Sequence, residues 1–151
     1  MEEKKYRLTD ITIKVYGIAL HRIQALKDFG DVKKGDFGGF IEKESNLSQE
    51  GECWVFGQAM IRDNSRVYEN ATIWQNSEVS GQSEIYGSAK IYGDTKIGDN
   101  SKIGWNTVIC GDAIINNSFS FINFKNPFFD KLKTGNFYSS ECLTWTESNN
   151  M

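Results

Sequence analysis

The sequence predicts an all-β solenoid of very short strands joined by tight corners, and three observations carry that prediction. A branched aliphatic residue or Phe returns every sixth position, at Val55, Ile61, Val67, Ile73, Val79, Ile85, Ile91, Ile97, Ile103, Ile109, Ile115 and Phe121. Two residues before each sits a small side chain, at Ala59, Ser65, Ala71, Ser77, Ser83, Ala89, Thr95, Ser101, Thr107 and Ala113, with departures at Cys53 and Phe119. Gly57, Gly81, Gly87, Gly93 and Gly111, with Asn64, Asn70, Asn76, Asn100 and Asn106, fall between the apolar positions, where a corner with positive φ is expected.

A period of six matches neither the 3.6 of a helix nor open-ended strand alternation. It suits a short strand followed by a corner, repeated, and self-similarity at fixed spacing is the mark of a solenoid. Within each unit the small and aliphatic residues lie two apart and point to one side, the aliphatic filling the interior. The chain's single proline, Pro127, lies beyond the run.

Stretches such as Ile97-Gly98-Asp99-Asn100-Ser101-Lys102-Ile103-Gly104 resemble the hexapeptide-repeat proteins. That resemblance implies a left-handed parallel β-helix of triangular section, with three hexads per coil and about four coils over residues 53–122. It is specific for fold and says little about activity.

The ends of a solenoid expose an apolar core and unpaired backbone, so both need covers. Residues 1–52 are read as an N-terminal β cap with loops. In it Tyr6, Leu8, Ile11, Ile13 and Val15 alternate with polar residues, Tyr16-Gly17 turns, and Ile18 to Leu26 resumes as strand. Residues 27–52, rich in Gly, Asp, Lys and Ser, are read as loops leading to the first coil. After Phe121 the hexads stop, and the aromatic residues 123–151 are read as a C-terminal cap or oligomer segment.

The N-terminal part carries a narrower resemblance. Leu26-Lys27-Asp28-Phe29-Gly30-Asp31-Val32, Gly38-Gly39-Phe40-Ile41-Glu42, Asn46-Leu47-Ser48-Gln49 and Gly51-Glu52-Cys53-Trp54-Val55 look like the leader preceding hexad repeats in a group of phage and prophage proteins. They are also similar to the start of much longer bacterial transferases of the YdcK type. The resemblance implies a mobile-element setting more than a chemistry. Asp28-Phe29-Gly30 is not the kinase metal-binding triplet, because no glycine-rich or catalytic loop accompanies it.

A net charge of −3 with both signs interspersed offers no basic stripe, which argues against a nucleic-acid partner. Three cysteines, Cys53, Cys110 and Cys142, cannot all pair and follow Met-Glu-Glu-Lys-Lys rather than a secretory leader, so a cytoplasmic bacterial protein, phage-encoded in one version, is expected. No apolar run reaches membrane-spanning length, and no membrane association is expected.

Hexapeptide acyltransferases use a histidine base with acyl-CoA held between coils of neighbouring subunits in a trimer. The one histidine here, His21, lies outside the repeats among Leu20, Ile23 and Leu26, and is the sole, weak catalytic candidate. A γ-class carbonic anhydrase site needs three histidines on zinc, so no metal is expected. Asp63, Asp94, Asp99 and Asp112 are read as corner residues, Cys110 as lacking a base, and the scattered threonines as no ice-binding ladder.

With three hexads per coil, residues eighteen apart stack on one face. The face of Val55, Ile73, Ile91 and Ile109 then carries Trp54, Phe56, Trp74 and Tyr92 outward, an aromatic wall larger than a monomer leaves wet. The face of Val67 carries Tyr68 and Tyr86. These six are the expected binding or interface residues, covered by the caps, a second copy or a protein partner. The expected function is a non-catalytic binding or scaffold module, a phage or prophage accessory protein that inhibits or sequesters a host or phage macromolecule, homo-oligomeric as dimer or trimer and without a cofactor. The alternative is a trimeric acyltransferase of the hexapeptide class using acetyl-CoA or another acyl-CoA.

Overall fold

A computed structural model describes residues 3–109, 111 and 114–115, together with the backbone of 120–121. The chain opens with a hairpin, β1 (Tyr6–Val15) and β2 (Ile18–Ala25), paired antiparallel through the Tyr16-Gly17 turn. Strand β3 (Phe37–Ile41) pairs antiparallel with β2 and carries the sheet onto the solenoid.

From Trp54 the chain advances in two-residue strands spaced by six. They are β4 (Trp54–Val55), β5 (Met60–Ile61), β6 (Arg66–Val67), β7 (Thr72–Ile73), β8 (Glu78–Val79), β9 (Glu84–Ile85), β10 (Lys90–Ile91), β11 (Lys96–Ile97), β12 (Lys102–Ile103), β13 (Val108–Ile109), β14 (Ile114–Ile115) and β15 (Ser120–Phe121). Each pairs in parallel with the strand eighteen residues away, as Lys90 does with Thr72 below and Val108 above. Three sheets result, ordered β4-β7-β10-β13, β6-β9-β12-β15, and the long one β1-β2-β3-β5-β8-β11-β14. The hexad register and the stacking of the three faces are those expected, and the architecture is an all-β solenoid of about four turns.

Why the hexad builds this is visible in burial. Val55, Ile73, Ile91 and Ile109 are fully buried, as are Ile61, Val79, Val67, Ile85 and Ile103, so each coil contributes aliphatic side chains to one dry axis. The small partners are buried too, and two of their hydroxyls turn back on the preceding backbone: Ser65 Oγ donates to the Arg62 carbonyl at 2.6 Å and Ser101 Oγ to that of Gly98 at 2.9 Å. Burying one Val or Ile contributes about 1.5–3 kcal/mol, and the ladder repeats that gain at every corner.

The corners differ from expectation in one detail. Positive φ falls at Gly57, Asp63, Glu69, Gln75, Gly81, Gly87, Gly93, Asp99, Trp105 and Gly111, once per hexad, and not at the asparagines. From Gly57 to Trp105 each is the first central residue of a turn such as Phe56–Ala59, closed by Ala59 N–H on the Phe56 carbonyl at 3.2 Å. Positive φ at that position alone is the type II′ arrangement, which leaves the asparagines, one residue later, in ordinary backbone.

The solenoid also begins earlier than the hexads announce. Ile41 pairs in parallel with Ile61 and Leu47 bridges Val67, both at a spacing of twenty instead of eighteen. Ile41 and Leu47 are themselves six apart, so the two additional residues lie between Leu47 and Val55, in the turn over Glu50-Gly51-Glu52. Residues 27–52, read as loops, therefore contain β3, a short 3-10 turn at Glu44–Asn46 and most of a coil. Gly38 and Gly39 make this possible by close approach, since a Cβ would stand 2.6 Å from the Val55 carbonyl oxygen at Gly38 and 2.4 Å from that of Ala59 at Gly39. The expected aromatic cap at 123–151 and the side chain of Cys110 lie outside the described residues.

Candidate functional site

Strands β4, β7 and β10 set Phe56, Trp74 and Tyr92 one above another, because each follows the inward residue of its strand. Phe56 and Trp74 stack face to face, with ring centroids 3.8 Å apart and planes 5° apart, and Trp74 meets Tyr92 at 5.8 Å and 27°. The indole Nε1 of Trp74 donates to Thr72 Oγ1 at 2.8 Å, so its polar atom is satisfied within the face. All three rings are half-buried.

Trp54 was expected in this wall, and the structure places it elsewhere. It is 1% exposed, with Tyr6 and Phe29 packed edge-on at 6.1 and 5.2 Å. Strand alternation does send Trp54 away from the axis, but the cap folds over that point and converts an outer position into core. The leader's Phe29 is one of the two covers, which gives that segment a physical reason.

Tyr68 and Tyr86 form a second column on another sheet, stacked at 5.3 Å and 11°. Tyr86 lies over Gly104, where a Cβ would come within 2.3 Å of its ring. The guanidinium of Arg66 sits 5.0 Å from the Tyr68 centroid, and the Tyr68 hydroxyl donates to Glu84 Oε1 at 2.8 Å. Burial first, and the Glu84 carboxylate second, raise the Tyr68 phenol above its ordinary range. Below Tyr68 the column narrows to Ser48, and two adjoining grooves of about 540 Å³ each share Ser48 and Tyr68. Glu44, Ser45 and Arg66 line one, and Glu69, Asn70 and Ser88 line the other.

His21 stands apart from both columns. It lies on β2 opposite Thr12 and Ile41, half-buried, with Nδ1 3.0 Å from the Thr9 carbonyl oxygen. Asp63 and Asp99 sit at corners, as expected, and Asp63 Oδ2 also pairs with Arg62 at 3.1 Å. Among the described residues no group of three His, Cys, Asp or Glu side chains could hold a metal ion, and no helix is long and apolar enough to cross a membrane.

One cluster was not anticipated. Lys5 is 1% exposed, and its ammonium donates to the carbonyl oxygens of Cys53 at 2.8 Å, Gly51 at 3.3 Å and Glu50 at 3.4 Å, with Cys53 Sγ at 3.3 Å and the Phe29 ring 5.0 Å away. Burial lowers the Lys5 pKa from its ordinary value and raises that of Cys53, each group opposing the other's shift through their mutual attraction. The available signal was Cys53 itself, the departure from Ala, Ser or Thr at the small position.

No family model matches the chain. It is similar to a protein of Escherichia coli (strain K12) named uncharacterized acetyltransferase YdcK, 43% identical over 56 residues, a stretch that covers 32% of this chain and 17% of that protein. The coils make this a β-solenoid of parallel two-residue strands, and the chain spans only a small part of the length of the curated relative it matches.

Proposed function

We propose that the chain is an acyl-CoA-dependent acyltransferase of the hexapeptide-repeat class, with acetyl-CoA as donor and His21 as general base, working as a homo-oligomer, dimer or trimer. The carrying observation is the hydrogen bond of His21. A carbonyl oxygen only accepts, so the contact with Thr9 calls for a proton on Nδ1, and in the neutral ring that leaves the lone pair on Nε2, the tautomer a base requires. Nε2 takes the proton of an acceptor hydroxyl or amine as its oxygen or nitrogen attacks the thioester carbonyl. The carbon–sulfur bond then breaks, and the CoA thiolate leaves with the proton returned from the imidazolium. Similarity to a protein named as an acetyltransferase supports the donor, although the shared stretch is a small part of that protein.

Release of CoA thiol from acetyl-CoA, measured across a panel of amine and hydroxyl acceptors, tests the reading. His21→Ala is expected to lower release by about 100-fold or more while leaving the circular dichroism melt unchanged. Release that survives His21→Ala, or no release with any acceptor, contradicts it.

A second reading keeps the solenoid non-catalytic, as a phage or prophage scaffold or inhibitor that holds a host or phage macromolecule. It draws on the half-exposed Phe56, Trp74 and Tyr92 column, since aromatic residues dominate interface hot spots. Under that reading Trp74→Glu, and not His21→Ala, abolishes binding of that macromolecule.

A further inference from the structure

We propose that Lys5 and Cys53 are a modification site, at which peroxide drives a thiol-reversible nitrogen–sulfur cross-link that ties the N-terminal strand to the first coil. Their reacting atoms are already in contact, Nζ standing 3.3 Å from Sγ. Both side chains are withdrawn from bulk water, Lys5 at 1% exposure and Cys53 at 0%. The Phe29 ring and three carbonyl oxygens hold Nζ in place, so the pair does not have to search for one another.

A second, independent observation marks the place. Every described small position from Ala59 to Thr107 carries Ala, Ser or Thr, and Cys53 alone puts a thiol at such a position. It is also where the coil takes its two additional residues, at the exposed Glu50-Gly51-Glu52 turn that closes over Sγ. A break in the repeat beside this thiol gives a small oxidant a door: opening that turn admits peroxide without unfolding a coil, and its closing returns the Glu50 and Gly51 carbonyls to Nζ.

The chemistry balances in two steps. Sulfur attacks one oxygen of hydrogen peroxide, the oxygen–oxygen bond breaks, the thiol proton leaves with the departing hydroxide as water, and Cys53 becomes a sulfenic acid. Neutral Nζ then attacks Sγ, the sulfur–oxygen bond breaks, and hydroxide leaves with an amine proton as a second water. Sulfur is oxidised once and one peroxide is reduced. Burial favours the neutral amine that the second step needs, and in the first step the same amine can relay the thiol proton to the departing hydroxide, ending neutral. An added thiol reverses the link by attacking sulfur and releasing the amine.

The test uses the full chain carrying Cys110→Ser and Cys142→Ser, so that no disulfide within the chain can imitate the product. After dilute hydrogen peroxide, intact mass is expected to fall by two hydrogens, about 2 Da, with a proteolytic peptide pair joined through Lys5 and Cys53. The melting temperature is expected to rise, and dithiothreitol to restore both mass and melt. Adding Cys53→Ser, which keeps a small polar group facing Lys5, must abolish the mass loss. Oxidation that adds only oxygen to Cys53, an unreactive Cys53 under peroxide that oxidises the same chain in denaturant, or a mass loss persisting in Cys53→Ser overturns the proposal.

Discussion

Asp63 Oδ2 accepts a hydrogen bond from the backbone N–H of Gly81, one coil above it, at 2.9 Å. Both residues have positive φ at the same corner of the prism. The relationship recurs at Glu69 with Gly87 at 2.8 Å and at Gln75 with Gly93 at 2.5 Å. An acid or amide held in left-handed backbone thus satisfies the donor of the glycine stacked on it, offsetting part of its conformational cost, about 1 kcal/mol.

That stacking predicts unequal costs for two glycines of the same turn type. At Gly57, φ +65°, a Cβ would have its nearest neighbour 3.4 Å away, whereas at Gly81, φ +70°, it would stand 2.4 Å from the Asp99 carbonyl oxygen. Gly57→Ala should cost about 1 kcal/mol from backbone conformation, and Gly81→Ala about 1–3 kcal/mol more from overpacking against backbone. Urea denaturation of the two variants checks the difference, and equal midpoints would refute the corner geometry.

The hexad register has its own test on adjacent residues. Ile91 is fully buried on the axis while Lys90 beside it is exposed. Ile91→Asp should cost about 4 kcal/mol or more by burying an unpaired charge, and Lys90→Asp about 0.5 kcal/mol or less. Circular dichroism melts report both.

The Lys5 and Cys53 contact predicts a pH dependence with a defined sign. Cys53 is raised above its ordinary 9.0, so its contribution to stability is present below pH 9 and lost as pH rises toward the folded value. Lys5 is lowered below 10.5, and its contribution runs the other way, lost as pH falls through the folded value. Removing only the thiol isolates the first effect. The stability advantage of the native chain over Cys53→Ser should shrink above pH 9, measured by melts from pH 7 to 10, and an advantage that grew would reverse the assignment.

Trp74 stacks on both Phe56 and Tyr92, so it is the centre of its column. Trp74→Ala should lower stability by about 1–3 kcal/mol through two lost ring contacts. Where copies of the chain associate through this face, Trp74→Glu should also leave a folded monomer, because a charge buried at an interface loses its hydration without gaining a partner. Light scattering with a thermal melt separates these outcomes.

How much of this was legible in the sequence depends on how local each cause is. The inward column from Val55 to Ile115 is written in spacing alone, since a two-residue strand and a corner repeat the same local geometry. The first coil is written there too, in Ile41 and Leu47 with Gly39 and Ser45 two residues before them, but the two additional residues ahead of Val55 break the count. Gly38 and Gly39 read as loop chemistry because a glycine chosen for close approach looks like one chosen for a turn. Alternation points Trp54 outward correctly, and only the long-range return of Tyr6 and Phe29 buries it. The stacking of Phe56, Trp74 and Tyr92, and of Tyr68 on Tyr86, follows from the eighteen-residue spacing. The meeting of Lys5 with Cys53 does not, because no local pattern joins residues 48 apart.

The proposal that this solenoid handles acyl-CoA is tested most directly by a thermal melt of the full chain titrated with acetyl-CoA. A ligand that binds only the folded state stabilises it by about 2.7 kcal/mol at a hundredfold excess over its Kd. The expected result is a melting temperature that climbs with acetyl-CoA concentration up to about 1 mM, the upper end of common enzyme substrate affinities. A melt that stays unchanged across that range contradicts the account.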